Sequence, residues 1–275
     1  MEPEQIPTPN KNALLESDSN KGLANKVIAI ASGKGGVGKT VFTVNLGISL
    51  ARAGKKVLII DGDLGLGNVN VLFGFLPKFN LYHVMKGHRS IRDIVFHTPE
   101  GVDVIPGSNG YPQFANLDEK SRDQLIQSFS ELDNYDYILI DTGAGIGPNV
   151  ISFTLYANEV ILVIAPDPSS VTDSYGLIKS LIALDKNKKI SFIVNRIRTE
   201  QEGNKVVKRI TEISNKFLGI KPINVGFIYQ DDEIERSVRK QKPFLLAAPN
   251  SKAAENLYQI TGTIANITLD PYQTQ

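Results

Sequence analysis

Gly33, Gly38, Lys39 and Thr40 fall in the spacing G-x-x-x-x-G-K-[ST], inside the run IAIASGKGGVGKT at residues 28–40. Residues of these types at this spacing suit a loop that holds phosphate. Gly33, Gly35, Gly36 and Gly38, with Val37 among them, let the backbone curl so that successive N–H groups point at one anion. Lys39 can then reach the β- and γ-phosphates, and the Thr40 hydroxyl can ligate Mg2+. Lys34 places a second lysine in the same loop. Carboxylates form the other chemically capable set: Asp61 and Asp63 in DGDLGLGN, and Asp141 closing YDYILID. A carboxylate at the end of an apolar strand can hold a metal-bound water. Asp61 or Asp63 could instead cap the helix that follows.

A phosphate loop of this kind needs a strand before it and a helix after it. Val27, Ile28 and Ile30 supply the strand; Val44, Ile48 and Ala51 give residues 41–53 a helical apolar face that stops at Gly54. Further buried strands are expected at residues 56–60, 102–105, 135–141, 159–165, 190–194 and 224–229. Helices are expected at 117–132, at 169–184 with Ser170 or Thr172 as N-cap, at 202–217 with Gly219 as stop, and over 231–239. Short helices and turns fill 71–100. This alternation predicts an α/β fold with a doubly wound, mostly parallel sheet and helices on both faces. The loops holding Lys39, Asp63, Asp141, Asp173 and Asn195 then gather at or near the carboxyl edge of the sheet, where such folds bind ligands. The glycine-rich loops after Asp61 and Asp141 suit switch elements near the phosphates, although a plain surface turn would read the same way.

The organisation expected is a disordered arm at 1–25, one P-loop domain at 26–269 and a tail at 270–275. A formal net charge of +1 gives no global reason to expect nucleic acid or an anionic membrane as partner. With no cysteine, the chain excludes disulfides and cysteine-ligated zinc or iron–sulfur centres, and fits a cytoplasmic protein. His83, His88 and His97 match no zinc spacing. Residues 12–16 (NALLE) carry one apolar turn, either a short docking motif or nothing structured.

With GKGGVGKT, Lys34, DGD at Asp61 and Asp63, and ILID ending at Asp141, the chain resembles the MinD/ParA group of deviant Walker A ATPases. Within it, DGDLGLGNVNVLFG, DTGAGI and APDPSSVTDSYGLIKSL are similar to the FlhG family (also FleN or YlxH), regulators of flagellar number and placement. The resemblance covers residues 26–245. It implies a P-loop NTPase fold and an ATP-dependent homodimer that hydrolyses ATP slowly with Mg2+. Lys39 would bind the β- and γ-phosphates, and Lys34 would reach across the dimer to the partner's ATP. Asp63 would orient the attacking water, and Thr40, Asp61, Asp63 and Asp141 would form the metal site, Asp141 as its outer partner. Asn195 would read the adenine edge beside Arg196 and the loop after Tyr229, and Asp173 would lie at the dimer face. Implied partners are the GTPase FlhF, flagellar C-ring proteins and a flagellar transcription activator, at the cell pole or inner membrane face.

Two features depart from that family. No Lys or Arg follows Lys252, whereas an interfacial membrane helix wants a cationic face. Leu257, Ile260, Ile264 and Ile267 are therefore expected to pack on the fold. Residues 1–25 also lack the DQAxxLR-like pattern of the arm that stimulates FlhF. The alternative function is a ParA-type partition ATPase binding DNA non-specifically, through Lys205, Lys208 and Arg209 on one helix and Arg236, Arg239, Lys240 and Lys242 on and just after the next. Near-neutral net charge argues against it.

Overall fold

The structure, a computed structural model, describes residues 26–108, 111 and 114–267. The arm expected at 1–25 and the tail at 270–275 lie outside the described residues. In chain order the elements are β1 (Lys26–Ser32), α1 (Lys39–Arg52), β2 (Val57–Gly62), α2 (Val69–Phe73), α3 (Leu81–Met85), β3 (Phe96–His97) and β4 (Val102–Ile105). There follow α4 (Glu119–Ser128), β5 (Tyr137–Ala144), α5 (Pro148–Tyr156), β6 (Glu159–Ile164), α6 (Pro168–Leu184), β7 (Lys189–Ile197) and α7 (Glu200–Leu218). β8 (Ile223–Tyr229), α8 (Asp232–Arg239), α9 (Phe244–Ala247) and α10 (Lys252–Ala265) complete the chain.

One eight-stranded sheet runs in the order β3-β4-β2-β5-β1-β6-β7-β8. Its strands are apolar runs because both faces are covered, as a parallel sheet requires. Along β1, Ile28 and Ile30 point to one core with α1, α9 and α10, while Val27, Ala29 and Ala31 point to the other with α4 to α7. The chain leaves central β1 toward β2, returns to β5 at its side, then crosses to β6. Such a reversal opens a crevice at the carboxyl ends of the strands.

Three expectations change. The sheet carries an antiparallel edge, β3 pairing His97 with Asp103; at two residues it is too short for any apolar period to announce. The helix expected over 117–132 ends at Ser128 and finishes as a 3-10 turn through Phe129–Glu131. The N-cap of α6 is neither Ser170 nor Thr172 but Asp167, whose Oδ1 accepts from Ser170 N at 2.9 Å. Pro168 takes the first helical position, where no N–H is needed, and so moves the start upstream.

The C-terminal apolar series packs on the sheet: Leu257 and Ile260 are fully buried in the second core. No helix among the described residues is long and apolar enough to cross a membrane. Leu257→Ala is expected to lower the unfolding free energy by about 2–5 kcal/mol, the range for a truncated core leucine. Urea denaturation measures it, and a change below about 1 kcal/mol would contradict core packing of this helix.

Candidate functional site

The loop between β1 and α1 has the shape its glycines require. Gly38 stands at φ 94° as the residue before α1, a left-handed conformation open to glycine at little cost. Gly33 is packed on the backbone of Asp173 and Ser174, leaving no room for a Cβ. The loop is therefore seated directly on the first turns of α6.

Register sets the carboxylates. Asp61 on β2 pairs with Asp141 on β5, and Asp141 with Ile30 on β1, so the two acids stand side by side behind the loop. Both are almost wholly buried. Lys39 Nζ donates to Asp141 Oδ1 at 3.0 Å, and Thr43 Oγ1 donates to the same oxygen at 2.9 Å. Asp141 Oδ2 is buried with no hydrogen-bond partner. Asp61 accepts from Val69 N at 3.2 Å and from Asp63 N at 3.3 Å. Burial first, then the neighbouring charge of Asp141, push the Asp61 carboxyl up to about 8, against the Val69 N–H and Lys39, which lower it. An unpaired buried carboxylate oxygen beside a second buried acid is a donor set suited to a hard divalent cation, which takes oxygen ligands.

Asp63 is partly exposed, and its Oδ1 accepts from Leu66 N at 3.1 Å, closing a turn. Two adjoining clefts, each about 440 Å³, open at this edge. The first is lined by Gly35, Gly36, Lys39, Thr40, Asp63 and Asn68. The second is lined by Asn195, Tyr229, Gln230, Asp231, Ile234 and Phe244. Gly38, Val41, Arg196 and Val238 line both. Two adjoining compartments, each of ligand size and one of them lined by the glycine loop with Lys39 and Thr40, suit a phosphate chain and a base. The Asn195 amide is engaged within the protein: Nδ2 donates to Val37 O at 2.7 Å, and Oδ1 accepts from Arg196 N at 3.0 Å. Arg196 takes a positive φ of 62° at the irregular end of β7.

Lys34 lines neither cleft. Its Nζ lies 2.9 Å from Asp167 Oδ1 and 2.7 Å from Ser169 Oγ, at the start of α6. The Ser169 hydroxyl, then the Ser170 N–H and Lys34, hold the Asp167 carboxyl down at about 2. Asp173 is exposed in the following turn. Sequence reasoning passed over Asp167, Ser169 and Thr43. Asp167 before Pro168 carries an N-cap signal that would have found it; Ser169 and Thr43 have none.

The AAA domain family matches residues 25–195. The chain is 40% identical over 230 residues to the antiactivator FleN of Pseudomonas aeruginosa, covering 83% of this chain and 82% of that one. It is 34% identical over 250 residues to the flagellum site-determining protein YlxH of Helicobacter pylori, covering 90% and 84%. Among solved structures it is similar to the septum site-determining protein MinD of Pyrococcus horikoshii complexed with Mg-ADP. That match has a TM-score of 0.75 at 27% identity and covers 88% of this chain and 96% of that one.

The raised Asp61 has a consequence for stability without nucleotide or metal. The folded protein keeps a proton that the unfolded chain releases above about pH 4. Stability from this group is therefore complete below about pH 4, falls as pH rises toward about 8, and is level beyond. Asp61→Asn should flatten that fall, read from urea midpoints taken across the same range. Parallel curves for the two proteins would contradict the buried, protonated Asp61.

Proposed function

Because the chain belongs to the FleN and YlxH branch of the MinD/ParA ATPases, within the AAA domain family, we propose that it is an ATP-dependent dimerisation switch setting flagellar number and placement. It is an ATPase with ATP and Mg2+ as cofactors. The observation that carries the switch reading is the position of Lys34. A lysine in the phosphate loop is turned away from its own clefts and tied to Asp167 and Ser169 on a half-exposed surface.

In this reading Lys39 leaves Asp141 for the β- and γ-phosphates, and Asp141 and Asp61, with the Thr40 hydroxyl, are left to organise Mg2+. The metal, when bound, neutralises charge on the transferring phosphoryl group. Asp63 orients the attacking water. Lys34 exchanges Asp167 for the ATP of a second chain, and Asp173 lies on the surface that chain covers. A cation supplied in trans contributes about 10³–10⁵ in rate in other phosphoryl-transfer enzymes, so hydrolysis becomes conditional on pairing. Asn195, Arg196 and Tyr229 flank the base, with the Asn195 amide also bracing the loop through Val37. The product is a changed surface read by partners, here FlhF, the flagellar C-ring and a transcription activator, at the pole or inner membrane face. The partition reading gains little support: Lys208 pairs with Glu212, Arg236 with Glu233 and Arg239 with Glu235, so three of its seven candidate cations are engaged within the fold, and the net charge is only +1.

Lys34→Ala is expected to bind labelled ATP normally yet lose turnover by about 10³. Asp63→Ala should be equally slow. Mixing the two variants should restore part of the activity, since one chain then brings an intact Asp63 and the other an intact Lys34. Unchanged turnover in Lys34→Ala would remove the role of Lys34; two slow variants with no recovery on mixing would contradict action in trans.

A further inference from the structure

The connection between α2 and β3 builds a second feature, away from the clefts. The Arg89 guanidinium lies over the Phe79 ring, 4.4 Å from its centroid, and Lys78 Nζ lies over the same ring at 5.4 Å. Their two charges are therefore within about 10 Å of each other, comparable with the Debye length at physiological salt. Lys86 Nζ sits 6.0 Å from the Phe114 ring. All three side chains are exposed.

The rings beneath them form a braced ladder. Phe79 meets His83 edge-on at 5.2 Å, and Tyr82 stacks on Tyr111 at 3.8 Å while meeting Phe114 edge-on at 5.3 Å. His83 is itself locked by a capping box with Asn80. Among the described residues no carboxylate forms an ion pair with Lys78, Lys86 or Arg89. Asp93, the acid whose charge Arg89 does influence, is engaged by Ser90 through both its N–H and its hydroxyl.

We infer that this cation-on-ring patch docks a carboxylate-rich peptide segment of a partner protein. Charge complementarity carries the argument. Two cations within about 10 Å of each other repel, and a carboxylate-rich segment laid beside both relieves that repulsion. A guanidinium lying on a ring still presents its N–H edge, which matches a carboxylate through two parallel hydrogen bonds. Because the rings already hold the cations in place, less side-chain freedom is lost on binding. Nucleic acid fits less well, because single-stranded binders stack bases on free aromatic faces. Here Tyr82 and Tyr111 cover each other and Phe79 carries the cations.

The patch also hangs from the loop that bears the candidate catalytic acids. Ser108 Oγ donates to Leu64 O at 2.5 Å, and Leu81 N donates to Pro106 O at 3.1 Å, tying α3 and the end of β4 to the segment after Asp63. A peptide bound here sits one loop from the phosphate cleft. The inference stands without the dimerisation reading.

The test is fluorescence anisotropy of a labelled octaglutamate peptide with the full chain, at low and physiological salt. The double variant Lys78→Gln with Arg89→Gln should bind at least about tenfold more weakly, a loss of about 1.4 kcal/mol. The control pair Lys205→Gln with Arg209→Gln on α7 should bind as the parent does. ATP turnover should be unchanged in both. If the double variant loses its circular-dichroism spectrum, Lys78→Gln alone makes the comparison, with a loss of about threefold expected. Absence of binding at low salt, or equal binding by parent and variant, would overturn the inference. So would single-stranded DNA or phosphatidylglycerol vesicles that bind more tightly than the peptide and lose that binding in the same variant.

Discussion

The pairing of Lys39 with Asp141 is the interaction on which the site depends. A loop built to hold an anion carries a buried cation, and burying that cation alone would be costly. Lys39 is met at 3.0 Å by a carboxylate that is itself almost wholly buried. Removing one partner of such a pair typically costs about 3–5 kcal/mol, because the other charge is left buried and uncompensated. Phosphate can therefore take Lys39 only if something takes Asp141 in exchange. The orphaned Oδ2 of Asp141 and the adjacent Asp61 make a cation the natural replacement. In the proposed switch, this one exchange would couple nucleotide and metal binding.

The same exchange reaches the surface through α6. Gly33 rests on the backbone at Asp173 and Ser174, while Asp167 and Ser169, at the start of the same helix, hold Lys34. The phosphate loop and its second lysine thus have a common footing. In the proposed switch, a shift of the loop around a bound phosphate chain and the release of Lys34 would both be movements against this helix. Asp63 belongs to a different element, a turn closed on Leu66 N, whose leucine is 76% exposed. The acid proposed to act on water is thereby held by a loop open to whatever covers that surface.

Most of this arrangement is legible in the amino-acid sequence, for physical reasons. Strands buried on both faces are continuous apolar runs, so β1, β2, β5, β6 and β7 announce themselves, and each hands its functional residue to the edge where it ends. Gly33 to Thr40 is legible because few other sequences make that curve. What stays hidden depends on partners distant in sequence. Asp167 is announced as a cap by Pro168 after it, but its grip on Lys34 spans 133 positions and no local pattern shows it. The amide of Asn195 serves Val37, 158 positions away. β3 is two residues of edge strand made by its neighbour rather than by its own pattern. The aromatic ladder around Phe79 joins the short helix α3 and the residue before its cap to the segment after β4, whose spacing follows no period.

In the proposed switch, occupancy of the γ-phosphate position decides whether the chain pairs with itself. The most direct measurement is the solution mass of the full chain by size exclusion with light scattering, in Mg-ADP and in Mg2+ with a non-hydrolysable ATP analogue. The mass of one chain is expected with ADP and of two with the ATP analogue. The same mass in both nucleotides would contradict it.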